Sequence, residues 1–244
     1  MRHVFRTMGT VASIDIADGD ERMLPALELV FETVEQRFSL YRPDSELSRI
    51  ADGRDTLARA SDELRASYAR ALGWRGLTNG YFSPHRPDGV IDFNGIVKAE
   101  AIERAGQALE ASGCRDWTIN VGGDLLTTAP TPLGIVDPAT PSSLLCAVAL
   151  SGSRRALATS GSAERGDHIW LGDRLRPAEF VQVSVLADDI VTADVLATAI
   201  VAGGAAALDA ITAEWDVDVL TVDRRGDLSA TPGFRAAIRA PVVR

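Results

Sequence analysis

Lysine is almost absent from this chain: of 25 basic residues in 244, only Lys98 is lysine and the rest are arginine. Cysteine is scarce too. Cys114 and Cys146 stand far apart with no CxxC, which disfavours both a disulfide scaffold and a thiolate zinc site. The three histidines, His3, His85 and His168, are too widely spaced to form a standard zinc site among themselves. Basic charge is outweighed, 25 against 34 acidic residues for a net −9. That balance argues against nonspecific nucleic-acid binding and against polybasic attachment to anionic lipid. No apolar run approaches the ~18 residues a membrane span needs, so no membrane insertion is expected. GxxxxGK[ST], GxGxxG after a strand, HExxH and GxSxG are all missing. The opening MRHVFRTMGTVASIDIAD has no long apolar core and no lipid-attachment cysteine, so a secretory signal is not expected and the default location is cytoplasmic.

What is there suffices for a full core: 46% of residues are apolar and 24% charged. Val11–Ile16 alternates as a half-buried strand, and Asp20 is a candidate cap for a helix over about 22–38, with Leu27, Val30, Phe31, Val34 and Phe38 on one face. Phe38–Leu47 reads as an extended piece turning at Arg42-Pro43. A helix over about 62–77 is capped by Ser61, with Leu64, Tyr68 and Leu72 on one face. Residues 79–95 are mostly loop, and loops this long are more often functional than idle. A helix over about 97–112 stops at Gly113, and a strand over Trp117–Val121 ends in Gly122-Gly123-Asp124. A Pro-rich stretch follows, then strands over Leu144–Leu150, Arg155–Thr159 and Phe180–Leu186. A helix over Ala193–Ala202 and a terminal hairpin starting at Val217–Val222 complete the pattern. Helices and strands mix without regular β-α-β alternation. The expected fold class is α+β, mainly antiparallel sheet with packed helices, as one domain over 1–244.

Two constellations carry chemistry. Asp194 and Thr198, four apart, share a helix face, and a carboxylate plus a hydroxyl are hard oxygens suited to Mg²⁺. The plain alternative is a Thr198 bonded back to its own helix and an exposed or capping Asp194. In Asp92-Phe93-Asn94-Gly95-Ile96-Val97-Lys98, an apolar strand end delivers Asp92, a Gly turn follows, and Lys98 falls in the first turn of a helix, a place that suits phosphate. Its alternative is a solvent-exposed lysine and a turn-forming aspartate. Gly122-Gly123-Asp124 is a tight turn or a close backbone approach to a ligand.

These pieces come in one order: MGT at Met8–Thr10, YRPDSELSR at Tyr41–Arg49, GxF at Gly80–Phe82, DxxGIVK at Asp92–Lys98 and INVGGD at Ile119–Asp124. ATSG at Ala158–Gly161, HI at His168–Ile169 and ADxLAT at Ala193–Thr198 follow. The sequence resembles the ApbE family of FAD:protein FMN transferases from Met8 to about Gly204. It departs at Ser83, where the family has Asp, at Ala99, where it has Gly, and at Trp170–Leu175, where it reads roughly DPRTG.

The resemblance implies an ApbE-like fold and an Mg²⁺-dependent transfer of FMN from FAD to a Thr or Ser hydroxyl of an acceptor flavoprotein, releasing AMP. With water as acceptor the same site would be an FAD pyrophosphatase, and without its base a non-catalytic flavin-binding protein. Carried over by position, Met8, Tyr41 and the Tyr81-Phe82-Ser83 loop contact the flavin or its tail. Asp92 bonds FAD, Lys98 meets its phosphates or adenylate part, and Ala178 offers a flavin-side backbone contact. Gly95, Asp194 and Thr198 hold Mg²⁺. His168 is the general base, a role its ordinary pKa near ~6.5 suits, with Asp188 or Asp189 next in line.

Overall fold

The computed structural model of the chain describes residues 1–129, 132–161 and 178–240. They fall into two compact units, Met1–Gly122 and Gly123–Arg244.

In the first unit, β1 (Arg2–Thr7) and β2 (Thr10–Ile16) form a hairpin, and β3 (Trp117–Val121) pairs antiparallel with β2, Ile14 opposite Ile119. Alternation puts Ala12, Ile14, Ile16, Trp117, Ile119 and Val121 inside. Helices α1 (Leu24–Phe38), α2 (Glu46–Ala51), α3 (Asp62–Leu77) and α4 (Val97–Ala111) accompany this sheet; α1 packs on β1 and α4, and α4 on β3. The turn at Asp20 is capped as expected, although it opens a 3₁₀ turn and α1 follows without a side-chain cap. The face of α3 departs from expectation. Leu72 is exposed and Tyr68 half-buried, and the buried row is Leu64, Ser67 and Ala71. A polar network explains the rotation: Ser67 Oγ donates to Glu100 Oε2 (3.0 Å) on α4, and Arg70 Nε to Glu100 Oε1 (2.7 Å). Arg104 bridges Glu100 to Glu63, and Arg37 bridges Glu63 to Glu46, so one chain of charges ties all four helices.

In the second unit, β4 (Asp124–Thr127), β7 (Ala156–Gly161), β8 (Phe180–Ala187), β9 (Asp218–Asp223) and β10 (Leu228–Ala230) pair antiparallel in that order. A smaller antiparallel sheet has the order β11 (Ile238–Ala240), β6 (Leu144–Val148), β5 (Leu133–Val136). Its Leu133, Ile135, Leu145 and Val148 share a core with Leu157, Leu186, Leu220 and Phe234, the last on the short helix α6 (Pro232–Ala237). The sequence reading passes over β5 as part of a Pro-rich link.

The long helix α5 (Ile190–Glu214) packs on β7 and β8. It starts earlier than expected because Asp189 caps it, accepting from Thr192 N, and it continues past residue 202 across a kink at Gly204 (φ 63°, ψ −148°). By length and composition α5 could cross a membrane, with a mean hydropathy of 1.8 over 18 residues, yet most of that window is buried. Described strand pairings are antiparallel throughout, so the fold is α+β as expected.

Candidate active site

The DxxGIVK segment of the first unit folds back on the preceding loop before it enters α4. Asp92 N donates to Pro84 O (2.8 Å), His85 bridges Ile91, and the Asp92 carboxylate accepts from Asn94 N (2.8 Å). The Phe93 carbonyl then takes Ile96 N and Val97 N, while the Phe93 ring, fully buried, meets Phe38 and Tyr68 edge-on. This packed ring anchors the turn. The plain alternative of a solvent-exposed Lys98 fails, because Lys98 is only 6% exposed in the first turn of α4. The first turn of a helix, where the backbone amides open, is a place that favours an anion. Gly95 is half-buried in the same turn.

Other candidates of this unit sit on loops with rigid backing. Met8 is the first central residue of the β1–β2 turn and lies in the left-handed region (φ 49°), followed by Gly9 (φ 72°). Its amide donates to Glu35 Oε2 on α1 (3.2 Å). Tyr41 is 74% exposed on a loop whose ends are fastened: the Ser39 carbonyl accepts from both the Ser45 and Ser48 hydroxyls, and Arg42 pairs with Glu32. Of the next loop, Tyr81 is half-buried, Ser83 exposed and Phe82 a core residue at 2% exposure. Ser83 caps its own turn by accepting from His85 N (3.1 Å), and Tyr68 shares a hydrogen bond with His85 Nε2 (2.9 Å).

In the second unit Asp194 is 3% exposed, flanked on α5 by Ala193, Val195, Leu196 and Ala197, all fully buried. It is neither the cap, which is Asp189, nor an exposed charge. Thr198 does not bond back to its helix; its hydroxyl lies 3.1 Å from Ser160 Oγ on β7. The residue before Ser160 is also fixed, Thr159 N donating to the buried Asp124 Oδ1 (3.0 Å) and Thr159 Oγ1 meeting Ser184 Oγ (2.9 Å). The ATSG and GGD motifs are thereby joined through Asp124, while Gly122 and Gly123 make the tight turn. Sequence reasoning gave Ser160 no role. Its signal was strand parity, which puts Ser160 on the side of β7 shared with Ala156 and Ala158.

Ala178 is half-buried just ahead of β8. His168 and the altered Trp170–Leu175 segment lie outside the described residues. The two substitute bases have other work. Asp188 accepts from Ser153 (2.8 Å) and Arg154 (2.9 Å), and Asp189 holds the start of α5. Burial pushes the Cys146 thiol above its ordinary range, which makes it a poor nucleophile.

Among the described residues no three His, Cys, Asp or Glu side chains group to hold a metal. The second unit offers a different donor set: one buried carboxylate, Asp194, on the helix face of a hydroxyl, Thr198. Only hard oxygens are present, which fits Mg²⁺, an ion that commonly takes one or two carboxylates and completes its shell with substrate phosphates and water.

The sequence model of the ApbE family matches residues 8–86 and 83–221. Among solved structures, the Thermotoga maritima ApbE protein is similar at 20% identity and a TM-score of 0.79, covering 98% of this chain and 99% of that one. The flavin transferase ApbE from Vibrio cholerae follows at 21% identity and 0.74, covering 97% and 98%. The apo form of the Pseudomonas stutzeri flavinyl transferase ApbE stands at 17% and 0.77, covering 98% and 97%. No curated protein sequence matches.

Proposed function

The chain belongs to the ApbE family, and from that membership and its own side chains we infer that it is a flavin transferase that takes FAD as donor and moves FMN to a Thr or Ser hydroxyl of an acceptor protein. The observation that carries this reading is the oxygen pair of the second unit, a buried Asp194 with a half-buried Thr198 whose hydroxyl is aimed across to β7 rather than back at its helix. An apolar helix does not keep a buried carboxylate without a polar task for it.

The roles divide by residue. Lys98 and the amides opening α4 bind phosphate oxygens, and Asp92 bonds FAD from the preceding turn. Met8, Tyr41 and the Tyr81–Ser83 loop take the flavin side, Tyr41 with an open ring face and Phe82 as the core anchor of its loop. Asp194 and Thr198 would hold Mg²⁺, which when bound neutralises charge on the diphosphate. His168 takes the acceptor hydroxyl's proton. The hydroxyl oxygen then bonds the FMN-side phosphorus, the bond to the bridging oxygen breaks, and AMP leaves with that electron pair.

Incubation with FAD, Mg²⁺ and a candidate acceptor, followed by separation of nucleotides from protein, tests this. AMP with protein-bound FMN is the expected result. AMP with free FMN in equal amount makes the protein a pyrophosphatase, and unchanged FAD makes it a binder.

A further inference from the structure

We propose that Ser160 is a positioning residue for the metal: its hydroxyl accepts the Thr198 O–H and so turns a Thr198 lone pair toward the cation. The proposal rests on the reading of Asp194 and Thr198 as metal-holding residues and extends it to a residue that reading does not contain.

A threonine hydroxyl has one proton and two lone pairs. To give a lone pair to a cation it must aim its proton elsewhere, and the cation's charge makes that proton a stronger donor in need of an acceptor. Among the described residues the Thr198 hydroxyl has one partner, Ser160 Oγ at 3.1 Å. Helical threonines ordinarily have a different outlet, the carbonyl four residues back, as Thr212 shows on the same helix by donating to Leu208 O (2.8 Å). Thr198 forgoes it. Ser160 is itself 9% exposed and held in register by its neighbour, since Thr159 N is tied to Asp124 and the Thr159 hydroxyl to Ser184. An acceptor fixed by a strand, facing a ligand fixed by a helix, leaves Thr198 one orientation. The proton of Ser160 remains to donate, which suits a diphosphate oxygen beside the same cation.

Mn²⁺, a hard oxygen-seeking ion with a strong paramagnetic signal, is the probe. Metal-free protein is titrated with Mn²⁺, alone and with ADP as a diphosphate, and free Mn²⁺ is read by electron paramagnetic resonance; thermal melts are recorded in parallel. Ser160→Ala should weaken Mn²⁺ binding about tenfold or more, the usual loss when an outer partner of a metal ligand is removed. Ser160→Thr, which keeps the hydroxyl, should restore it. Thr221→Ala removes a buried hydroxyl of the same sheet that donates to Ser229 O, away from Thr159 and Ser160, and should lower only the melting temperature. Wild-type Mn²⁺ affinity in Ser160→Ala, or an equal loss in Thr221→Ala, overturns the proposal. Asp194→Asn separates the two levels. If it loses Mn²⁺ while Ser160→Ala does not, the metal reading stands and the positioning role falls. If Asp194→Asn binds like the wild type, or the wild type binds no Mn²⁺ under either condition, both fall.

Discussion

The amide of Met8, a residue held in the left-handed region at φ 49°, donates to the Glu35 carboxylate at 3.2 Å, so α1 pins a strained turn of the first hairpin. A two-residue hairpin turn with positive φ at both centres is the I′ type, for which Asn-Gly or Gly-Gly is the low-strain choice. A methionine there carries about 1–2 kcal/mol of steric cost. Strain of this kind persists where a side chain has a task.

Met8→Gly should therefore separate stability from binding. The variant is expected to be as stable as the wild type or up to about 1 kcal/mol more stable, the relief being partly offset by glycine's freedom in the unfolded chain. FAD affinity, followed by flavin fluorescence, should fall. A more stable variant with unchanged FAD affinity would remove Met8 from the flavin contacts.

Lys98→Met keeps the length and apolar stem and removes the charge. A solvent-exposed phosphate contact would weaken steeply with salt, but Lys98 is 6% exposed, and a buried charge is little screened. The loss of FAD affinity, on the order of tenfold for one charge-assisted contact, should persist at low and high salt alike. A deficit that vanishes in high salt would assign the effect to the protein's general field rather than to this side chain.

The sequence showed some of this and hid the rest for identifiable reasons. Helices α1, α3 and α4 were legible because periodicity coincides with caps such as Ser61 and stops such as Gly113. The face of α3 was not, since the buried row includes Ser67, whose partner Glu100 is distant in sequence. The opening MRHVFRTMGTVASIDIAD reads as a polar-interrupted strand pattern, but the bounds of β1 are not legible in it because its outward positions are polar or exposed, Val4 among them. α2 is missed, its Glu46 and Leu47 reading as the end of the extended piece although Ser45 caps the helix, because six residues make too few turns to show a period. At the site, spacing put Asp194 and Thr198 on one face, and motif order marked Asp92 and Lys98. Ser160 lies inside the ATSG motif, yet its role was not legible there, since its partner lies 38 positions away.

Acid stability should depend on Ser153. Asp188 has its carboxyl held below the ordinary carboxylate range, first by the Ser153 hydroxyl, with Arg154 helping to offset the opposing effect of burial. A depressed folded-state pKa stabilises the protein above the unfolded value near ~3.9, and the contribution is lost as pH falls through the folded value. Ser153→Ala should thus melt at a lower temperature than the wild type from about pH 5 to 7, with the gap closing below about pH 4. A gap independent of pH would mean the hydroxyl acts by packing and not through the carboxylate.

The kink in α5 rests on one residue. At φ 63° and ψ −148°, Gly204 occupies a region essentially reserved for glycine, and a Cβ placed there would stand 2.5 Å from Glu179 Oε2. Glu179 is exposed and could swing away, but the same oxygen accepts from Ala205 N at 2.9 Å and so caps the second stretch of the helix. Gly204→Ala then incurs backbone strain together with a lost cap, about 2–4 kcal/mol in all. Glu179→Ala alone should cost about 1 kcal/mol. In the double variant the cap is already gone and the obstruction with it, so the combined loss should fall short of the sum by about 1 kcal/mol. Urea titration of the three variants measures this coupling. Strict additivity would show that Glu179 and Gly204 act independently and that the kink is held by the packing of α5 on β7 and β8.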